Sequence, residues 1–506
     1  MRPPHWALRA AAAFYDARTR RAIANPRATQ ARLLRSLLAE YRPTELGRSL
    51  GLDAVTGPDD FKTRVGVTDE THYQPFCQRA LDENPPDWLT RGRLTYMARS
   101  SGTTSVRKLV AFTWPLIKAY KRYETRVAMH TMRELNRFDM LDAKLLITAG
   151  SPAVETTPAG VTIGYGTGIM TKLAPAIAQD LVRPTRDILS MTDWEAKLDA
   201  TVRQALPLDI RAMTGVPLFA TQIAERLLAV AQAQGHSART LHDLWPKLAV
   251  YYWSGSPITM YEARLRALFG PDVPFRELYT CTESPLGHQY RLGEPGVLLN
   301  LEDTYFEFQP ADSDPDAPRL GIHEVSLGVP YRVLISTWGG LFAYRLGDLV
   351  EFVSLDPPLI RVGGREKDEI SLGYEHIQLD VVTAALDEAS AKAGARVRHF
   401  FLGPADTAPG DRQAYHWYVE YDQPPGDPEA FRQALDRGLI DRHPFYAGMR
   451  TDDAVLLPPR LTELPAGTID RHVLETRQFG QGKFLHLYSQ RPAVEAILAA
   501  APDGAR

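Results

Sequence analysis

Between residues 144 and 280 short apolar runs alternate with helical segments, and this alternation limits the possible folds more than any other feature. Residues 144–148 are strand-like, and 217–235 read as a helix with Pro217 in its start and Gly235 past its end. Residues 248–253 return to strand character. Residues 256–269 follow as a helix with Ser256 as cap, Pro257 in the first turn and Gly270 as stop, and 277–280 are strand-like again. Such alternation predicts an α/β layer with a largely parallel sheet.

The flanks read differently. Residues 1–45 predict two helices, the second with an apolar stripe of Leu33, Leu34, Leu37 and Leu38. Residues 113–138 predict a long helix with Thr113 as N-cap and Pro115 in its first turn. From 297 to 353 four β-rich runs (304–308, 321–326, 331–337 and 348–353) follow with no helix between them, which predicts a smaller β-barrel-like layer on the large domain. Residues 381–393 and 428–439 are helical and 398–402 and 414–421 strand-like, an α+β unit. A charged, Gly-containing stretch at 364–367 suggests the boundary between a large domain at 1–365 and a smaller, mobile one at 366–506. At 506 residues the chain exceeds one ordinary core, which agrees with two domains.

Composition mainly excludes. A net charge of −3 gives no electrostatic reason to expect nucleic acid. Cys77 and Cys281 are the only cysteines, too few for a disulfide framework or a cysteine-rich zinc site, and reduced thiols fit a cytoplasmic protein. No apolar run approaches the roughly 18 residues that span a bilayer. The N-terminal segment carries Arg2, Arg9, Asp16 and Arg18 where a secretory leader needs an uncharged stretch.

Three short segments carry the chemistry. Ser100-Ser101-Gly102-Thr103-Thr104, with Lys108 close behind, concentrates hydroxyls, backbone N–H groups and a cation as a phosphate site requires, although its glycine spacing is not that of the GxxxxGK[ST] loop. Only eleven lysines occur in the chain, so one inside a motif carries weight. Tyr279-Thr280-Cys281-Thr282-Glu283 ends a strand that follows a helix, the edge at which open α/β sheets bind ligands. There Glu283 is a candidate ligand for Mg²⁺, and Thr282 a donor to phosphate or carboxylate oxygen. Tyr344-Arg345-Leu346-Gly347-Asp348 offers a carboxylate for a ribose diol, with Gly347 permitting a turn that presents it. Arg365 and Lys367 follow at the domain boundary, within reach of ribose or phosphate. Each segment alone also fits a polar loop, an acidic turn or a Gly-Asp hairpin turn.

In this order the segments resemble those of the adenylate-forming superfamily of acyl-CoA synthetases, peptide-synthetase adenylation domains and luciferases. Within it they are most similar to the Gretchen Hagen family of auxin-responsive acyl-acid amido synthetases. Thr44-Glu45-Leu46-Gly47, Trp253-Ser254-Gly255-Ser256 and Tyr305-Phe306-Glu307-Phe308-Gln309-Pro310 resemble that family too. So do Gly467-Thr468-Ile469-Asp470, where the family has Gly-Thr-Phe-Asp, and Gly480-Gln481-Gly482-Lys483. The phosphate loop is one residue shorter than the family's.

The resemblance implies ATP-dependent activation of a carboxylic acid as acyl-adenylate, then transfer to an amine, an amino acid by family habit. It implies Mg²⁺ at Glu283, ATP at Ser100, Ser101, Gly102, Thr103, Thr104, Tyr279, Thr282, Asp348, Arg365 and Lys367, and catalytic charge from Lys108 and Lys483. It places the acid beside the 113–138 helix, where Arg122, Arg126 and His130 stand, and near Tyr165, between Gly164 and Gly166. The competing expectations are an acyl-CoA ligase using CoA or a carrier in trans, and a non-catalytic nucleotide-binding relative.

Overall fold

The computed structural model describes residues 3–99, 109–191, 193–255, 258–314, 316–365, 369–372, 375, 377–407, 412–450, 456–476 and 484–501. The chain divides into two compact units, one spanning Met1–Val362 and the other Gly363–Arg477 with Phe484–Arg506.

The first unit is organised by one sheet whose two halves are wired differently. Val182–Arg183, Lys144–Ile147, Ile210–Gly215, Val250–Trp253 and Phe275–Cys281 lie side by side and parallel. Three of these are the expected apolar runs, whereas Val182–Arg183 and Ile210–Gly215 were not expected from the sequence; helices such as Pro217–Ala233, which begins on proline as expected, join them. The next helix is Thr259–Phe269, stopped by Gly270; Ser256 and Pro257 lie outside the described residues.

Beyond Phe275–Cys281 the pairing turns antiparallel. Ser284–Gln289 returns beside it, followed by Val297–Leu299 and Pro358–Arg365. The sheet continues with Tyr344–Leu355, Pro330–Thr337 and Thr304–Pro310. The β-rich run is thus hydrogen-bonded into the same sheet as the parallel strands. One expected strand is absent: residues 321–326 form turns, because the Glu324 carboxylate takes the Gly321 N–H at 2.6 Å and closes the backbone locally.

A second sheet, ordered Leu109–Ala111, Tyr96–Arg99, Thr162–Tyr165 and Glu155–Thr156, shares an apolar core with the large one. Met97 and Ile163 from the small sheet meet Tyr279, Leu286 and Phe306 from the large one. Full burial of a Leu or Ile side chain there stabilises by about 1.5–3 kcal/mol. Helix Trp114–Glu134 is capped by Thr113, whose hydroxyl accepts the Leu116 N–H at 3.2 Å, and it buries Leu116, Ile117, Tyr123, Val127 and Met132. The N-terminal helices are His5–Ala24 and Pro26–Tyr41, and the second buries the expected leucine stripe.

The second unit holds a three-stranded sheet of Arg396–Pro404, Tyr415–Gln423 and Arg460–Glu463, antiparallel then parallel. Helices Leu379–Ala393 and Pro428–Arg442 meet at Gly438, where an added Cβ would stand 2.9 Å from the Ala385 Cβ. No described helix is long and apolar enough to cross a membrane.

Candidate active site

The seam between the two halves of the large sheet is a hairpin, and its tip is Thr282-Glu283. Cys281 pairs with Ser284, so these two residues alone make the turn. Glu283 is nevertheless buried, at 5% exposure. Below the tip the register slips between Pro285 and Gly287, which places Gly287 opposite Tyr279. Gly287 is obligatory there, because a Cβ would stand 2.5 Å from the Leu298 carbonyl oxygen.

Asp348 reaches the seam from the antiparallel half. It was expected in a turn, and it lies instead inside the strand Tyr344–Leu355. Arg332 pairs with Leu349 and Leu334 with Arg345, so Leu346, Gly347 and Asp348 bulge opposite Val333 alone. Gly347 makes the bulge possible with φ +82. The bulge aims the buried Asp348 carboxylate at Tyr279, whose hydroxyl donates to it at 2.8 Å. Two motifs 69 residues apart are thereby joined by one buried hydrogen bond.

Helix Trp114–Glu134 closes one side of the tip. The Tyr120 hydroxyl donates to the Cys281 carbonyl, and its ring stacks on Phe112 at 5.7 Å. Burial, with Cys281 and Glu283 nearby, pushes the Tyr120 phenol well above its ordinary pKa, so it remains a donor. Tyr165 ends the strand Thr162–Tyr165, paired with Arg99, the last residue before the Ser/Thr/Gly segment. Beside it the Cβ that Gly166 lacks would meet Phe112 at 3.4 Å and Thr282 at 4.0 Å. Gly164 and Gly168 allow main chain to pass close, each Cβ position being 2.3 Å from a carbonyl oxygen. Tyr120, Tyr165, Gly166 and Thr282 therefore gather at one place.

Arg122, Arg126 and His130 have other partners. Arg126 is 5% exposed and bonds Asn300 at 2.6 Å, with Asp303 at 3.2 Å and Glu302 at 3.0 Å. Arg122 binds the same Asp303, its Nε at 2.8 Å. His130 Nδ1 lies 2.9 Å from His288 Nε2, and burial lowers the His130 pKa to about 4 and holds that of His288 well below the ordinary imidazole value. A neutral His130, already bonded, supplies no positive charge to an acid substrate. Two carboxyls near the sheet do respond to their surroundings. Burial raises Glu124 and Glu277 to about 7, Lys121 opposing the shift at Glu124, and neither forms a side-chain hydrogen bond or ion pair among the described residues.

In the second unit, Gly467-Thr468-Ile469-Asp470 opens the helix Thr468–Thr476. Sequence reading missed its anchor. The fully buried Glu420 accepts the Gly467 N–H at 3.1 Å and the Ile469 N–H at 2.6 Å, and Asp470 lies 3.4 Å from His399. A carboxylate on the first turn of a helix is favoured by the exposed N–H groups and the helix dipole. A glutamate inside an apolar strand was the only available signal. Ser100, Ser101, Gly102, Thr103, Thr104, Lys108, Lys367 and Lys483, with the Arg365 side chain, lie outside the described residues.

The described residues thus hold a buried carboxylate on a two-residue tip and a second, oriented carboxylate on the antiparallel half of the sheet; among the described residues no group of three His, Cys, Asp or Glu side chains is placed to hold a metal ion. Three family profiles match in chain order: the GH3 family N-terminal domain at residues 17–211, its central domain at 297–365 and its C-terminal domain at 380–492. A probable indole-3-acetic acid-amido synthetase, GH3.12 of Oryza sativa subsp. japonica, is 26% identical over 485 residues, covering 78% of this chain and 77% of the relative. The jasmonoyl–L-amino acid synthetase GH3.3 of the same plant is 35% identical over 383 residues, 62% of this chain and 81% of the relative. Among solved structures, AtGH3.15 acyl acid amido synthetase in complex with 2,4-DB shares the fold at TM-score 0.80 and 16% identity, covering 99% of this chain and 98% of that one. A 2-hydroxyisobutyryl-CoA ligase in the postadenylation state follows at TM-score 0.58 and 15% identity, covering 94% and 91%.

Proposed function

The chain belongs to the GH3 family and is an ATP-dependent ligase that activates an acid as acyl-adenylate and passes it to an amino acid; from that premise we propose how its residues divide the work. Glu283, on the hairpin tip, holds Mg²⁺. Asp348, oriented by Tyr279, binds the ribose hydroxyls. The acid carboxylate lies in the space bounded by Tyr120, Tyr165, Gly166 and Thr282. The observation that carries this reading is the Tyr279–Asp348 hydrogen bond, because it gathers two of the three sequence motifs at the sheet seam.

The chemistry asked of the protein is alignment and charge stabilisation. ATP supplies the electrophilic α-phosphorus and the pyrophosphate leaving group; Glu283 would hold the Mg²⁺, which when bound would supply counter-charge to the phosphates. Tyr120 keeps its proton and fixes the Cys281 carbonyl, which holds the tip in register. The Ser100–Thr104 hydroxyls, Lys108, Arg365, Lys367 and Lys483 take the phosphate-side roles that the family resemblance assigns. The protein works in the cytoplasm on small molecules.

Incubation with ATP, hydroxylamine and a panel of aromatic and aliphatic acids, read by mass spectrometry, tests the reading, since hydroxylamine traps an acyl-adenylate whatever the natural acceptor. A hydroxamate is expected for at least one acid, and amino acids outcompete CoA as acceptor. Glu283→Gln is expected to lower acid-dependent pyrophosphate release about 10²–10³-fold without loss of fold. Wild-type release by that variant would remove Glu283 from the site.

A further inference from the structure

Away from the hairpin tip, the first unit contains a cavity of about 310 Å³ lined by Arg18, Thr29, Arg32, Leu33, Ser36, Arg122, Glu302 and Trp338. Its size is at the low end of small-ligand sites. It is not the space beside Thr282. Arg122 lines the cavity while Tyr120 touches Cys281, and two helical residues are separated by about 200° of rotation.

The charges around this cavity do not balance. Glu302 takes Arg18 at 2.6 Å and Arg126 at 3.0 Å, and Asp303 takes Arg122 at 2.6 Å and Arg126 at 3.2 Å. Two carboxylates therefore serve three guanidinium groups. Arg32 adds a fourth, whose only described bond is to the Thr29 hydroxyl at 3.4 Å. Among the side chains that line the cavity, three guanidinium groups, Arg18, Arg32 and Arg122, stand against the single carboxylate of Glu302. Guanidinium groups are the side chains best shaped for two-point contact with carboxylate or phosphate. Trp338 forms part of the cavity wall through its ring, while its indole N–H is shielded from the cavity.

We propose that this open concavity, bordered by the helices His5–Ala24, Pro26–Tyr41 and Trp114–Glu134, binds a small dianion, a dicarboxylate or a phosphate monoester, at a site separate from the nucleotide and acid sites. Arg32 is its main free contact. Arg18 and Arg122 turn part of their guanidinium edges to it while keeping Glu302 and Asp303. The occupant also touches Trp338, in the turn that joins Pro330–Thr337 to the strand carrying Asp348. The Trp338 carbonyl accepts both the Tyr41 hydroxyl, at 2.5 Å, and the Thr113 hydroxyl, at 2.6 Å, so the turn is held from two sides.

Isothermal titration of the full chain with phthalate, and separately with phenyl phosphate, tests the site at low ionic strength. Binding of either probe by the wild type is expected, and the stronger arm identifies the ligand chemistry. Arg32→Ala is expected to weaken that binding about tenfold or more and to leave acid-dependent pyrophosphate release unchanged. Arg32 is exposed, so the variant folds. Lys118→Ala, in the same experiment, controls for general loss of positive charge and should bind as the wild type does. The proposal falls if neither probe binds at 10-millimolar order, or if Arg32→Ala and Lys118→Ala bind equally. Pyrophosphate release by the wild type reports independently on the proposed reaction, so failure of this site and failure of that reading are told apart.

Discussion

The parallel and antiparallel halves of the large sheet are continuous in hydrogen bonding and opposite in what they contribute. The parallel half is regular. Its strands enter and leave through helices, and its pairs run in register apart from one shift between Lys144 and Leu145. The antiparallel half is irregular where it matters, with slips at Pro285/Gly287 and Arg332/Leu334. Those two irregularities are what bring Tyr279 and Asp348 together. Regular pairing builds the frame, and departures from it aim the side chains.

The comparison can be broken first at its largest support. Arg126→Met removes the cation that clasps Asn300, Glu302 and Asp303 to the long helix, and is expected to cost about 3 kcal/mol of stability by urea unfolding. Activity per folded molecule should survive, because Arg126 is a strut. Loss of activity with unchanged stability would return it to the acid site. Gly347→Ala comes next. An added Cβ meets nothing within 4 Å, so its effect is purely one of backbone, about 1–2 kcal/mol for a side chain at φ +82. The KM for ATP should rise with it. A variant as stable and as tight for ATP as the wild type would show that the bulge does not aim Asp348. The smallest change is Tyr279→Phe, which deletes one hydrogen bond and little else. A net loss near 1 kcal/mol corresponds to about fivefold in the KM for ATP, with kcat nearly unchanged. No change in KM would detach Tyr279 from the nucleotide.

The same contrast explains what the sequence reveals. Proline-led and glycine-stopped helices alternating with apolar strands are local signals, so three of the five parallel strands are readable; Val182–Arg183 is too short to carry a pattern, and Ile210–Gly215 is interrupted by Arg211 and Thr214. The motifs at Glu283 and Asp348 are readable as residue types. Their geometry is not, because a bulge is decided by which partner residues a strand skips. Gly347 signals a turn equally well in a hairpin and in a strand interior. Arg126 has the spacing of a helix-face cation, and only the return of Asn300–Asp303, 174 to 177 residues later, identifies it as buried. Residues 321–326 have strand composition, but Glu324 bonds back to Gly321.

The Glu420 clasp sets what a substitution at the helix start can disturb. Glu420 holds Gly467 and Ile469 through their amide nitrogens, and a grip on main chain is blind to side-chain identity. A substitution at Ile469 therefore leaves both hydrogen bonds in place and is felt only through the packing of its fully buried side chain, so the start of the helix Thr468–Thr476 is anchored by one carboxylate and the backbone alone.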